Sequence, residues 1–446
     1  MRSASRPRHL LLCCTLPAAL AAGCESYTPA PLDLPALLAR VEQERGAAVP
    51  LTLREAALRQ REVHPRLRAL RAAHDTAAAL REAGTPLANP TVSVEPRQLT
   101  GPGILGSLDW GVEAALGWVL PFPGVRASHD DYLAVRAEAA LVQRIAAERE
   151  EYLSLRAAVS AAHFARARRG LRAALAATAD GAWTVARRLA AAGQLGAAEL
   201  VLLEGVTWRA QAELAQAEEA EAEARAGLGR LLGLSAAALA VRPLPVAPLP
   251  DAVPEPGVLR EVLLRDHPGL HRLRAEYAVC EQRLRHQVAL QYPGLQVGGT
   301  YERQDEVDRF GLVLGIPIPL FDRNQSGIAE ARGQRAEAAV AFEGALAAQL
   351  AAIEDARARL HARGERWMRL RAALPEAARR ASEAAESALR GGLVDALRYL
   401  DLQSAEQTLR LLLLDAEEAV HRSWHELEAA CGAPLLRFPD EPEADR

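Results

Sequence analysis

Lysine is absent from the 446 residues, so all 53 basic side chains are arginine. Against 57 acidic residues the formal net charge is −4, without the basic stripe that a nucleic-acid partner requires. Aromatic residues make up only 4% of the chain and methionine occupies two positions. Compact globular cores draw on large aromatics, so this composition favours long helices packed closely through alanine, the best helix former. Of five cysteines, Cys13 and Cys14 fall in the leader described next, and no group has metal-ligand spacing. Cys280 and Cys431 are left as thiols, and a disulfide between them stays open. After residue 24 no run of eighteen apolar residues occurs, so no helix is expected to cross a bilayer.

The N-terminus reads as a secretory signal over residues 1–23: Arg2, Arg6 and Arg8, an apolar run from Leu10 to Ala22, then small residues before Cys24. Leu20-Ala21-Ala22-Gly23-Cys24 resembles a bacterial lipobox, with Leu one place earlier than usual. That resemblance makes Cys24 the lipidated first residue of the mature chain, and Glu25 after it implies sorting to the outer membrane. Residues 24–50 read as an extended lead-in.

Internal duplication organises the remainder. His64-Pro65-Arg66-Leu67 recurs as His267-Pro268-Gly269-Leu270, 203 residues later. Asn89-Pro90 and Tyr292-Pro293 open extended segments at the same offset, and Pro121-Phe122-Pro123 answers to Pro317-Ile318-Pro319. Gly193 and Gly392 complete the series. The repeats are 51–234 and 257–432, joined by a Pro-rich linker at 235–256 and followed by a tail at 433–446. Each reads as helix, two strands, a very long helix (124–191; 323–390), a turn and a returning helix (197–232; 395–431). Leu200, Leu203, Thr207, Ala210, Leu214 and Ala217 mark a coiled-coil seam in the first returning helix; Leu402, Ala405, Leu409, Leu412, Ala416 and Ala419 mark one in the second. Pro375 is expected to kink the second long helix.

The strand segments lie near 90–119 and 294–317. Trp110, Val112, Ala114, Leu116 and Trp118 alternate on one phase, as do Phe310, Leu312, Leu314 and Ile316, with Glu113 on the opposite, candidate pore-lining phase. Nine to twelve residues of such alternation suit a transmembrane β-strand, with Trp110, Trp118, Tyr301 and Phe310 as interfacial girdles. With no spanning helix expected, only a closed barrel satisfies the backbone groups of a chain that crosses lipid, and four strands cannot close. Three copies sharing one barrel give twelve strands.

In order and spacing these landmarks resemble the TolC-like outer membrane factor family over roughly residues 50–432. The resemblance implies a mainly α fold with a small membrane β part: a homotrimer whose 12-stranded β-barrel continues into a long α-helical barrel. It further implies a passive duct without catalysis or cofactor, working with a periplasmic adaptor (membrane fusion protein) and an inner-membrane RND pump. Ile316-Pro317-Ile318-Pro319-Leu320-Phe321-Asp322-Arg323-Asn324-Gln325 is most similar to the heavy-metal (cobalt-zinc-cadmium) branch, with drug or protein export as the alternative. Family acidic rings at the periplasmic tip would fall at Arg398, a departure, and at Asp401. Arg398 would then pair with Asp401 or Asp395, while Asp395 also suits a helix N-cap. Gly193, Gly391 and Gly392 sit at the tip turns, where the adaptor would dock.

Other features read as structural. His421-x-x-x-His425 and His267-x-x-x-His271 each place two imidazoles on a helix face but lack the glutamate and third ligand of a zinc site. Glu218, Glu219, Glu221 and Glu223 read as a solvated face. Two rivals from other classes are a lipid-anchored periplasmic coiled-coil scaffold and a metalloenzyme built on the His pairs.

Overall fold

The computed structural model describes residues 27–46, 52–98, 110–235, 237–240, 246–250, 252–304, 307–390 and 396–438. The chain divides into two compact units, residues 1–47 and 48–446. In the first, α1 (Leu34–Arg45) occupies part of the lead-in expected to be extended. Asp33 caps it by accepting from the Ala36 N–H at 3.1 Å, and a proline in the first turn presets the backbone.

The second unit follows the duplicated plan: α2 (Leu53–Val63), α3 (Pro65–Ala83), β1 (Thr91–Gln98), β2 (Trp110–Leu120), α4 (Val125–Ala191) and α5 (Ala197–Leu232), then α6 (Pro256–Asp266), α7 (Pro268–Ala289), β3 (Leu295–Gln304), β4 (Val307–Gly315), α8 (Gln325–Arg390) and α9 (Ala396–Cys431). Each leading helix is two helices rather than one. Proline biases the preceding residue toward extended geometry, and His64 (ψ 124°) and His267 (ψ 114°) obey. The linker carries one turn of 3-10 helix, Ala238–Ala240.

The 67 residues of α4 amount to about 100 Å at 1.5 Å per residue. This helix packs against α3, α5, α7 and α9, while α8 packs against α7 and α9. Leu203, Thr207, Ala210 and Ala217 are buried along α5, as the first seam requires. The second seam is displaced: Ala405 and Leu412 are exposed, and Leu400, Leu411, Ala416, Val420 and Trp424 are buried. Because α9 contacts both α8 and α4, its buried face is wider than a two-helix seam and rotated from it. Pro375 lies inside α8, which continues to Arg390 without the hydrogen bond a proline nitrogen cannot donate.

One window within residues 325–387 reaches a mean hydropathy of 1.4, enough by length and composition alone for a membrane span. Alanine raises the average there, and Glu337 and Glu343 interrupt the run, so no stretch of eighteen apolar residues is formed. Glu221 needs correction, being no solvated residue. It is buried and ion-paired to Arg169 at 2.8 Å, because α5 turns that face onto α4.

The C-terminal tail folds back, burying Ala433, Leu436 and Phe438. Gly432 makes the turn at φ +71°, where an added Cβ would lie 2.4 Å from Pro268 Cδ. Cys280 and Cys431 are free thiols. Burial, with a smaller contribution from the charge of Glu428, pushes Cys431 up to about 12.

Candidate pore-lining surface and tunnel tip

The four strands form one antiparallel sheet in the order β1-β2-β3-β4, so the β2–β3 pairing joins the two repeats. Register fixes what each face carries. Glu95 pairs with Glu113, Glu113 with Glu302, and Glu302 with Arg309, making a charged row across one face. Arg309 Nη1 lies 3.7 Å from Glu302 Oε2. Directly opposed carboxylates repel one another, and a charge on a lipid face is destabilising. The row therefore belongs against water, together with Ser93, Ala115, Thr300 and Gly311 on the same phase.

The opposite face carries Val92, Val94, Val112, Leu116, Phe310, Leu312 and Leu314, all exposed, and bears charge only at its end remote from the helices, where Arg303 and Asp308 pair at 3.9 Å. Tyr301 and Phe310 pack with tilted rings, centroids 5.2 Å apart, toward the end remote from the helices. Near the helices, Trp118 donates its indole N–H to Ala88 O at 2.6 Å. Three of the expected girdle residues thus lie on this face; the Trp110 side chain lies outside the described residues. Among the described residues β1 pairs only with β2 and β4 only with β3, so both outer edges are open.

Glu113 was legible from alternation, but Glu95, Glu302 and Arg309 were missed. Applying one phase to all four strands supplies the missing signal.

At the far end of α4, Gly193 adopts φ +71° and closes the turn. Its N–H donates to Ala190 O at 3.0 Å, and Gln194 N donates to Leu189 O at 2.9 Å, the double bond of a glycine-terminated helix. Glu199 then accepts from Gly196 N at 3.3 Å as α5 begins. Asp401 is exposed on α9, next to Leu400, which is buried with Ala179, Ala186 and Leu203. Cys24, Gly391, Gly392 and Asp395 lie outside the described residues, as does the side chain of Arg398.

The histidines serve the packing. His267 Nδ1 accepts from Leu270 N at 3.1 Å, and His271 Nε2 lies 2.6 Å from Arg265 O. His425 Nδ1 lies 2.8 Å from Glu428 Oε2, and since a carboxylate only accepts, this nitrogen is the donor. Nε2 lies 2.8 Å from the Ser160 hydroxyl on the other side of the ring. Glu428 Oε1 also receives Arg156 Nη2, Leu435 N and Leu436 N, each at 2.8 Å. This connectivity matches a nucleophile–base–orienter triad. However, Ser160 is 4% exposed and its glutamate is saturated by a buried arginine, so the network acts as a clamp joining α4, α9 and the tail. His421, packed on Phe164 with centroids 5.1 Å apart, is lowered to about 4 by burial first and then by the charges of His425 and His163.

The fold is that of the TolC-like outer-membrane channels. Residues 259–433, essentially the second repeat, match the family model described as outer membrane efflux protein. Among solved structures, the outer-membrane channel OprN is similar with TM-score 0.68 and 18% identity, covering 92% of this chain and 98% of its own. The CmeC outer membrane channel of Campylobacter jejuni gives TM-score 0.69 at 12% identity, with 94% and 93% covered. CusC gives 0.65 at 15% identity, with 86% and 93% covered. Comparison with curated protein sequences gives no match.

Proposed function

We propose that the protein is one protomer of a trimeric outer-membrane efflux duct, a passive conduit that carries cargo across the periplasm and outer membrane. The observation that carries this reading is the sheet: one exposed apolar face, one face crossed by three carboxylates, and two open edges. An open, one-sided apolar sheet is unstable in lipid, whereas three copies joined edge to edge give a closed twelve-stranded barrel with charge inside. The family match of the second repeat supports the same conclusion.

Cys24 provides the lipid anchor. The tips at Gly193, Gly391 and Gly392 meet a periplasmic adaptor, which connects to an inner-membrane RND pump. Asp401, repeated by three-fold symmetry, forms a carboxylate ring with Arg398 and Asp395 as latching partners. Such a ring attracts cations, with a strength set by pore width and salt. Heavy-metal cations are the proposed cargo, on the resemblance of residues 316–325 to that branch.

Growth of a deletion strain on zinc, cobalt, cadmium, copper, silver and lipophilic drugs tests both levels. Sensitivity confined to cations is expected. Sensitivity to drugs alone keeps the duct and refutes the cargo; sensitivity to neither, with a purified protein that stays monomeric, refutes the duct.

A further inference from the structure

The segment that leaves β4 for α8 is apolar and exposed, yet tightly built. Ile316 continues the phase of Phe310, Leu312 and Leu314, and Ile318, Leu320 and Phe321 are 73%, 64% and 90% exposed. Asn324, at φ 55°, holds the turn by donating its side-chain N–H groups to Gln287 O and Oε1, both at 2.8 Å. Arg323 Nε donates to Pro319 O at 3.1 Å, and Gln325 Nε2 to Phe321 O at 2.8 Å. A turn so braced presents its apolar side chains at little entropic cost on binding.

Beside it lies a cleft of about 480 Å³ lined by Leu320, Phe321, Arg323, Ile328 and Arg332. No ion pair engages Arg323 or Arg332 among the described residues. The adjacent Asp322 carboxylate accepts instead from Asn324 N at 2.8 Å. Two guanidiniums above a greasy ledge, at the helix-side end of a membrane-facing sheet, match a phosphate headgroup with acyl chains below it.

Resting on the barrel reading above, we infer that this turn and cleft bind a phospholipid of the periplasm-facing leaflet. Its phosphate lies on Arg323 and Arg332, and its chains lie along Ile318, Leu320 and Phe321. A second copy is the other conceivable occupant, because β4 is an open edge. The opposing edge, β1 with its lead-in Thr85–Pro90, has no carboxylate of its own before Glu95, and the neighbouring Asp130 is already engaged by Thr85 N and Oγ1 at 2.8 and 2.6 Å. Charge complementarity therefore favours lipid.

The test places a photoreactive benzoylphenylalanine at position 321 of the full-length protein in outer membranes. Irradiation is expected to yield a protein–phospholipid adduct, read as a lipid-sized mass increase. In R323Q/R332Q the adduct yield is expected to fall at least about threefold, because the headgroup loses both partners. A chain-to-chain crosslink in place of the adduct, or a yield unchanged in R323Q/R332Q, overturns the inference. Heat-modifiable trimer is scored on the same membranes. Its absence counts against the barrel, and its presence without lipid adduct counts against the lipid site alone.

Discussion

Glu428→Gln isolates charge from shape at the clamp that ties the C-terminal tail to the long helix. Glutamine keeps the volume, and its carbonyl oxygen still accepts from Leu435 N and Leu436 N, which now donate at 2.8 Å. What is lost is the counter-charge of Arg156, a residue 0% exposed whose Nη2 lies 2.8 Å from the carboxylate, together with the acceptor for His425 Nδ1 at Oε2. Removing one member of a buried ion pair costs about 3–5 kcal/mol, chiefly because the remaining charge stays buried. The loss should appear first where the clamp holds least structure, at residues 433–438. Amide exchange at Leu435 and Leu436 is therefore expected to accelerate by about a hundredfold or more, since 1.4 kcal/mol is a factor of ten. Arg156→Met leaves the carboxylate stranded and should cost a similar amount. The double variant should cost about 2 kcal/mol or more less than the sum, because neither charge is then left unpaired. Strict additivity, or E428Q exchange within a few-fold of the parent, would refute the clamp.

Other expectations follow from the same geometry. His421 is held neutral to about pH 4 while its unfolded-state value is near 6.5. The unfolded chain thus binds more protons in that window, so stability should decline as pH falls from 6.5 toward 4, by up to about 3 kcal/mol. His421→Leu should flatten that slope in pH-dependent thermal melts. Gly432→Ala forces a side chain into φ +71° and against Pro268, so a loss of about 2–4 kcal/mol is expected in denaturant titration. Leu312→Arg, on the exposed apolar face, should weaken barrel stability by about 2–4 kcal/mol, whereas Glu302→Gln on the charged row should leave it nearly unchanged. Refolding into lipid vesicles compares the two. Glu113→Arg should shift the reversal potential of bilayer currents away from cation preference, and an unaltered potential would remove Glu113 from the pore wall.

Much of the fold was readable because the chain states its plan twice. The repeated His-Pro pairs, the proline-led strands and the Gly193 turn each have a local cause, and local causes survive into the structure. Errors arose where tertiary contact decides. The 3-4 spacing in α9 suggested a coiled-coil seam, but a helix packed on two neighbours buries a different stripe, exposing Ala405 and Leu412. Glu221 looked solvated because its run is acidic, yet α4 supplies Arg169 from 52 positions earlier. The Arg156–Glu428 pair spans 272 positions, and nothing adjacent in sequence announces it. Glu113 was found by strand phase, and its row-mates needed the register of all four strands.

The central claim is that three chains close one barrel, and the mass of the detergent-extracted particle tests it directly. Native mass spectrometry is predicted to show a complex of three 47.9-kDa chains, less the leader and plus lipid, that collapses to single chains only on heating. A particle that remains a single chain when extracted intact from outer membranes would contradict the account.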